Sequence, residues 1–164
     1  YKRDKKFINK QKKSQAIILV LHGPNLNLIG VRSAQISERV TLDKINRALQ
    51  QKARELETTL KILQTHDTAK AITFLKRNRN RADGLLLACG TGGRFQHEIL
   101  DTVKFTKTPC AGVFLTKDFD PDGYQDSYIF AESDVSTHSG HPLEVYPEAL
   151  SALYESINGE SSED

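Results

Sequence analysis

The spacing of apolar residues changes several times along this chain. Thr59 to Leu63, interrupted by Lys61, reads as a short strand, and Ile17 to Leu21, Gly84 to Cys89 and Cys110 to Leu115 are almost unbroken apolar runs. Runs of this length without a polar face predict strands covered on both sides. Between them the spacing changes to three- and four-residue steps. Leu42, Ile45, Leu49, Ala53 and Leu56 follow this rhythm, as do Ala71, Ile72 and Leu75, and then Ile99 and Val103 with Phe95. These predict helices, the first capped by Thr41, the second by Asp67, and the third spanning Arg94 to Phe105. A final helix is expected from about Pro147, docking Leu150, Leu153, Tyr154 and Ile157. Strands alternating with helices predict an α/β fold with a parallel, doubly wound sheet and right-handed connections. Residues 30 to 40 have no clear period and read as a loop. Tyr128 to Ala131 offers a brief pairing segment, whereas Asp134 to His138 is too polar for a central strand.

Composition narrows the class. With 164 residues, 38% of them hydrophobic, the chain suits one domain with a single core. No apolar run approaches the roughly 20 residues of a membrane span. Cys89 closes one apolar run and Cys110 opens another, without Cys-x-x-Cys spacing, and both read as buried thiols. Residues 1 to 15 hold seven Lys or Arg against Asp4, a balance of +6. Since the whole chain carries +2, the remainder carries −4. The expected organisation is therefore a basic tail (1–15), a folded domain (16–158) and an acidic C-terminal tail (159–164). A basic tail is ordinarily solvated, but it is also a means of attaching to RNA, anionic lipid or acidic partners. The basic cluster Lys76 to Arg81 has a simpler origin, because cations favour a helix C-terminus. The chain begins with Tyr1 and has no methionine, so an upstream segment is expected to have been removed or left out; a cleaved organellar targeting segment is one origin.

The first strand runs into His22-Gly23-Pro24-Asn25, a sharp corner at the carboxyl end of a strand, where open α/β sheets bind ligands. The longer string Gly23-Pro24-Asn25-Leu26-Asn27, followed by Gly30-Val31-Arg32, resembles the opening of type II 3-dehydroquinase. The resemblance runs colinearly over residues 16 to 157. It implies a flavodoxin-like fold of sheet order 2-1-3-4-5, here with an eroded fifth strand, and assembly as trimers or dodecamers. The chemistry it implies is loss of water from 3-dehydroquinate through an enolate. A tyrosinate is the base, a histidine the acid, an asparagine holds a water, and a lid arginine lies nearby. Elimination needs such a base, acid and oxyanion donor.

Matched residue by residue, Asn25, Arg32 and Asp101 retain family positions. Ser37 stands where the family has its tyrosine, and Ala88 where it has a substrate-gripping asparagine. Arg94 replaces a substrate-binding histidine, Gly112 a glutamate, and Phe119 the general-acid histidine. Strand cores and turns persist while the implied acid and base are gone, so the expectation is a pseudoenzyme. It would serve as a structural or interaction subunit of a larger assembly in a mitochondrial matrix or plastid stroma, with the cytoplasm as the alternative.

Other chemistries are weaker. Asp118, Asp120 and Asp122 begin like a calcium loop, but Ile129 stands where the bidentate glutamate belongs, so no metal is expected. His138 and His141, with Glu144, lack the fixed geometry of a zinc site. His22, His66, His97 and Arg94 form no recognisable catalytic set. No cofactor is expected. Two alternatives to the subunit reading remain. One is an enzyme with an altered small-acid substrate, using Arg32 and Arg94 to hold the anion; the other is an RNA-binding subunit attached through residues 1 to 15.

Overall fold

The structure is a computed structural model that describes residues 15–36, 38–88, 93–116, 118–119 and 135–162; the side chains of 93–96 and 160–162 lie outside the description. Five strands form one parallel sheet in the order β2-β1-β3-β4-β5. They are β1 (Ile17–His22), β2 (Thr59–Gln64), β3 (Gly84–Ala88), β4 (Cys110–Leu115) and β5 (Ser136–Gly140). This is the flavodoxin-like order expected from the sequence. The inner strands β1 and β3 pair on both edges and are covered on both faces, which is why Ile18 to Leu21 and Leu85 to Leu87 are all buried.

Alternate residues of these strands feed two cores. Ile18, Val20, Leu86, Ala111 and Val113 pack on one face against α2 (Leu42–Glu55) and α5 (Pro142–Ser162). Leu19, Leu21, Leu85 and Leu87 pack on the other against α3 (Thr68–Asn78) and α4 (Gly93–Thr106). Burying each such Leu or Ile contributes roughly 2–3 kcal/mol. Thr41 caps α2 by accepting from the Lys44 N–H at 3.2 Å, and Asp67 caps α3 through the N–H groups of Ala69 and Lys70. Ile45, Leu49 and Ala53 are buried on α2, Ala71 and Leu75 on α3, and Ile99 and Val103 on α4, as their spacing predicts.

Two expectations are corrected and one is borne out. Residues 30 to 40 read as a loop, but the stretch that leads into them is a 3-10 turn (Leu26–Leu28) followed by the short helix α1 (Ile29–Ala34). It buries Leu26, Ile29 and Ser33, too few residues to show a period. Asp134 to His138 read as too polar for a central strand, and the strand that forms there, Ser136 to Gly140, lies at the edge of the sheet beside β4. An edge strand has one neighbour and tolerates polar side chains. The final helix starts at Pro142 rather than near Pro147. His141 begins it: its carbonyl accepts from the Glu144 and Val145 N–H groups at 3.0 and 2.8 Å, and its ring Nδ1 accepts from the Leu143 N–H at 3.2 Å. Pro147 sits inside the helix, where it removes one backbone hydrogen bond. The helix continues to Ser162. The candidate pairing segment Tyr128 to Ala131, the tail from 1 to 14, and Cys89 lie outside the described residues.

Candidate functional site

The chain leaves β1 at the point where the strand order reverses, between β1 and β3. The Gly23 N–H donates to the Ala88 carbonyl at the end of β3, at 2.7 Å, and the Gln64 side-chain amide donates to the Gly23 carbonyl from β2. The opening loop is thereby tied to both neighbours of its own strand, over the crevice where such sheets take ligands. Asn25 adopts a left-handed conformation (φ 69°), which Asn tolerates better than most side chains, and its carbonyl accepts the Leu28 N–H. Buried Leu26 and Ile29 anchor the following turn, leaving Asn25 exposed and Arg32 half-buried. Gly30 lets α1 lie close to the start of α2: a Cβ there would stand 3.0 Å from the Thr41 side-chain methyl, which would have to give way by a few tenths of an ångström.

Beneath the loop lies a polar triad within the core. His22 is fully buried, with Nε2 2.9 Å from Asn46 Oδ1 on α2 and Nδ1 3.2 Å from the Tyr146 hydroxyl on α5. Asn46 Oδ1 can only accept, so Nε2 carries the proton and Nδ1 accepts from Tyr146. Burial drives the His22 pKa down to about 4, partly offset by the bond to Asn46. His22 is therefore neutral at physiological pH and serves as a tie among β1, α2 and α5.

At the β4–β5 end of the carboxyl edge, Glu38 meets His141. Glu38 Oε1 and His141 Nε2 are 2.7 Å apart although the residues are 103 positions apart in sequence. The segment carrying Glu38 is pinned by the buried Ser33 hydroxyl, which donates to the Val40 carbonyl at 3.0 Å and accepts from the Val40 N–H at 2.8 Å. Phe119 is buried and makes an edge contact with the His141 ring, with centroids 4.8 Å apart.

The other residues singled out from sequence are more dispersed. Ala88 pairs with His22 across the β1–β3 ladder, and Gly112 is buried in β4. Asp101 is exposed on α4, and Arg94 lies at the start of that helix with its side chain outside the described residues. Asp118 is exposed; Ser37, Asp120 and Asp122 lie outside the description. His66, His97 and Glu144 are exposed, while His138 is half-buried with Nε2 3.4 Å from Ser136 Oγ. Among the described residues, no group of three His, Cys, Asp or Glu side chains could hold a metal ion, and no helix is long and apolar enough to cross a membrane. Cys110 is a buried thiol whose pKa burial raises to about 12. A separate cavity of about 480 Å³ lies beside α3, lined in part by Leu63, Lys70, Phe74 and Arg77. The sequence reading missed Asn46, Tyr146 and the pairing of Glu38 with His141. No local spacing signals them, because each contact joins residues that only folding brings together.

Comparison with known proteins places this geometry. The family described as Dehydroquinase class II matches residues 16–154. A 3-dehydroquinate dehydratase of Dictyoglomus turgidum is 28% identical over 137 residues, spanning 84% of this chain and 94% of that protein. One from Roseiflexus castenholzii is 32% identical over 114 residues, spanning 70% and 73%. The crystal structure of type II dehydroquinase from Butyrivibrio crossotus superposes with a TM-score of 0.70 over 85% of this chain and 98% of that one; at 18% identity this speaks for the fold alone. The relatives are named as enzymes, which overturns the expectation of a non-catalytic chain. That expectation rested on single matched positions in the sequence, and spacing along the chain could not show that Glu38 and His141 meet. The opening loop, the sheet order and the match over residues 16–154 together make the chain a member of the class II dehydroquinase family.

Proposed function

We propose that this protein is an enzyme acting on a small carboxylate-bearing substrate in the crevice at the carboxyl edge of its sheet, with a substrate altered from the 3-dehydroquinate of its named relatives. The observation that carries this reading is the opening loop. The Gly23–Ala88 hydrogen bond ties the loop that carries Asn25 and leads into the Arg32-bearing helix α1 to the carboxyl end of β3. Arg32 and Arg94 are the cations assigned to the substrate carboxylate, since a guanidinium pairs with a carboxylate through parallel N–H groups. Ser37 and Phe119 stand where the resemblance puts a tyrosine base and a histidine acid, which favours altered chemistry over the relatives' own.

The test is thermal protection by 3-dehydroquinate and a panel of smaller keto and hydroxy acids, followed by turnover of whichever protects. A ligand at 100 times its Kd stabilises by about 2.7 kcal/mol. For a chain of this size that raises the Tm by roughly 5–10 °C. Saturable protection by at least one carboxylate, abolished in Arg32→Ala, is expected. A flat response across the panel would rule the reading out.

A further inference from the structure

We propose that Glu38, at the β4–β5 end of the carboxyl edge, is the base that takes a proton from the carbon next to the substrate's carbonyl, and that His141 positions it. This rests on the small-carboxylate reading and assigns its proton chemistry.

The assignment follows from how the two side chains are held. Leu143 donates its backbone N–H to His141 Nδ1, so the ring proton must sit on Nε2, and Nε2–H donates to Glu38 Oε1 at 2.7 Å. Both ring nitrogens are thus engaged, and the imidazole has no lone pair to offer a substrate. The carboxylate differs. It is 55% exposed, one oxygen is fixed by His141, and Oε2 has no partner among the described residues. One oxygen held and one open is the arrangement a positioned carboxylate base requires.

An exposed ion pair would ordinarily be of little consequence. Here three further contacts hold it in place. Ser33 clamps Val40, two residues beyond Glu38; Phe119 packs edge-on against the imidazole; and the Leu143 N–H fixes the ring's tautomer. The phenylalanine that cannot itself supply a proton thereby becomes the support of the histidine that orients the carboxylate. Glu38 also follows directly on Ser37, the position the resemblance gives to the family's base.

In the step, the C–H bond breaks and its electron pair moves onto the adjacent carbonyl, giving an enolate. The proton forms an O–H bond with Glu38 Oε2. Reversal returns a proton to the carbon after exchange with solvent, so the step needs no oxidant, reductant or second substrate.

Deuterium wash-in tests this directly. 3-Dehydroquinate, and any keto acid that protects the protein from heat, is incubated with it in D2O, and proton NMR follows the signals next to the carbonyl. Exchange above the buffer rate is expected, falling by about 100-fold or more in Glu38→Gln while heat protection persists. Glu38→Asp should retain part of the rate. His141→Gln, which still offers an N–H to Glu38, should retain more than His141→Leu; a purely structural histidine would give parallel losses of Tm and rate in both variants. Wild-type exchange in Glu38→Gln, or binding without exchange above buffer, overturns the assignment and leaves the carboxylate site standing. Absence of binding by every acid removes both.

Discussion

The Tyr146 hydroxyl and His22 Nδ1 lie 3.2 Å apart across 124 residues of sequence, joining the last helix to the end of the first strand inside the core. His22 completes the link by donating from Nε2 to Asn46. A neutral histidine with both nitrogens used is compatible with full burial; a charged one is not.

Stability should therefore fall in acid through His22. Its folded pKa, about 4, lies below the ordinary 6.5, so the unfolded chain takes up the proton first. The contribution is fully present above pH 6.5 and is lost as the pH falls toward 4. The gap between 6.5 and about 4 corresponds to about 3 kcal/mol over that window. Urea denaturation at pH 7, 6, 5 and 4 should show this loss, and His22→Asn should be flatter than wild type; parallel curves for the two proteins would exclude His22 as the titrating group.

Tyr146→Phe removes the donor to a buried acceptor and leaves the ring volume nearly unchanged. It should cost about 1–3 kcal/mol. Because Asn46 acts on the same imidazole, Asn46→Leu and Tyr146→Phe should be non-additive in a double-mutant cycle, by roughly 0.5–3 kcal/mol. Strict additivity would mean that the two bonds to His22 are independent.

Ser33→Ala deletes a hydroxyl that both donates to and accepts from Val40. Val40 is buried, so its N–H and carbonyl would lose their partner away from water. A loss of about 1–3 kcal/mol is expected. Hydrogen exchange offers a local check: the Val40 amide should lose protection while Leu19 and Leu86 in the central strands exchange only by global unfolding.

Cys110 is buried, and its thiol is raised to about 12, so almost no thiolate exists at pH 8. Alkylation with iodoacetamide in the native state should leave the Cys110 peptide unmodified, and modification should appear only in denaturant. Rapid native labelling at this residue would show that β4 opens far more readily than its burial implies.

The strands, two helix caps and the helix faces were legible because each depends on neighbours in sequence. Leu85 to Leu87 and Cys110 to Leu115 are apolar throughout, and Thr41 and Asp67 stand directly before their helices. The short helix Ile29–Ala34 and the polar strand Ser136–Gly140 escaped the same reading. The first is too short for a period to emerge, and the second is a strand through its pairing with β4 rather than its composition. Asn25 and Arg32 could be placed from the opening string, whereas the contact between Glu38 and His141 could not.

The sequence by itself determined the family, the parallel α/β order and the corner at Gly23, since turn chemistry and apolar spacing are local properties of the chain. The tertiary structure alone decided which polar groups meet. Glu38 reaches His141, and His22 reaches both Asn46 and Tyr146, because packing of the helices on the sheet brings loop, strand and final helix within hydrogen-bond distance. A hydrogen bond depends on separation in space, and residues 103 or 124 positions apart carry no local trace of it.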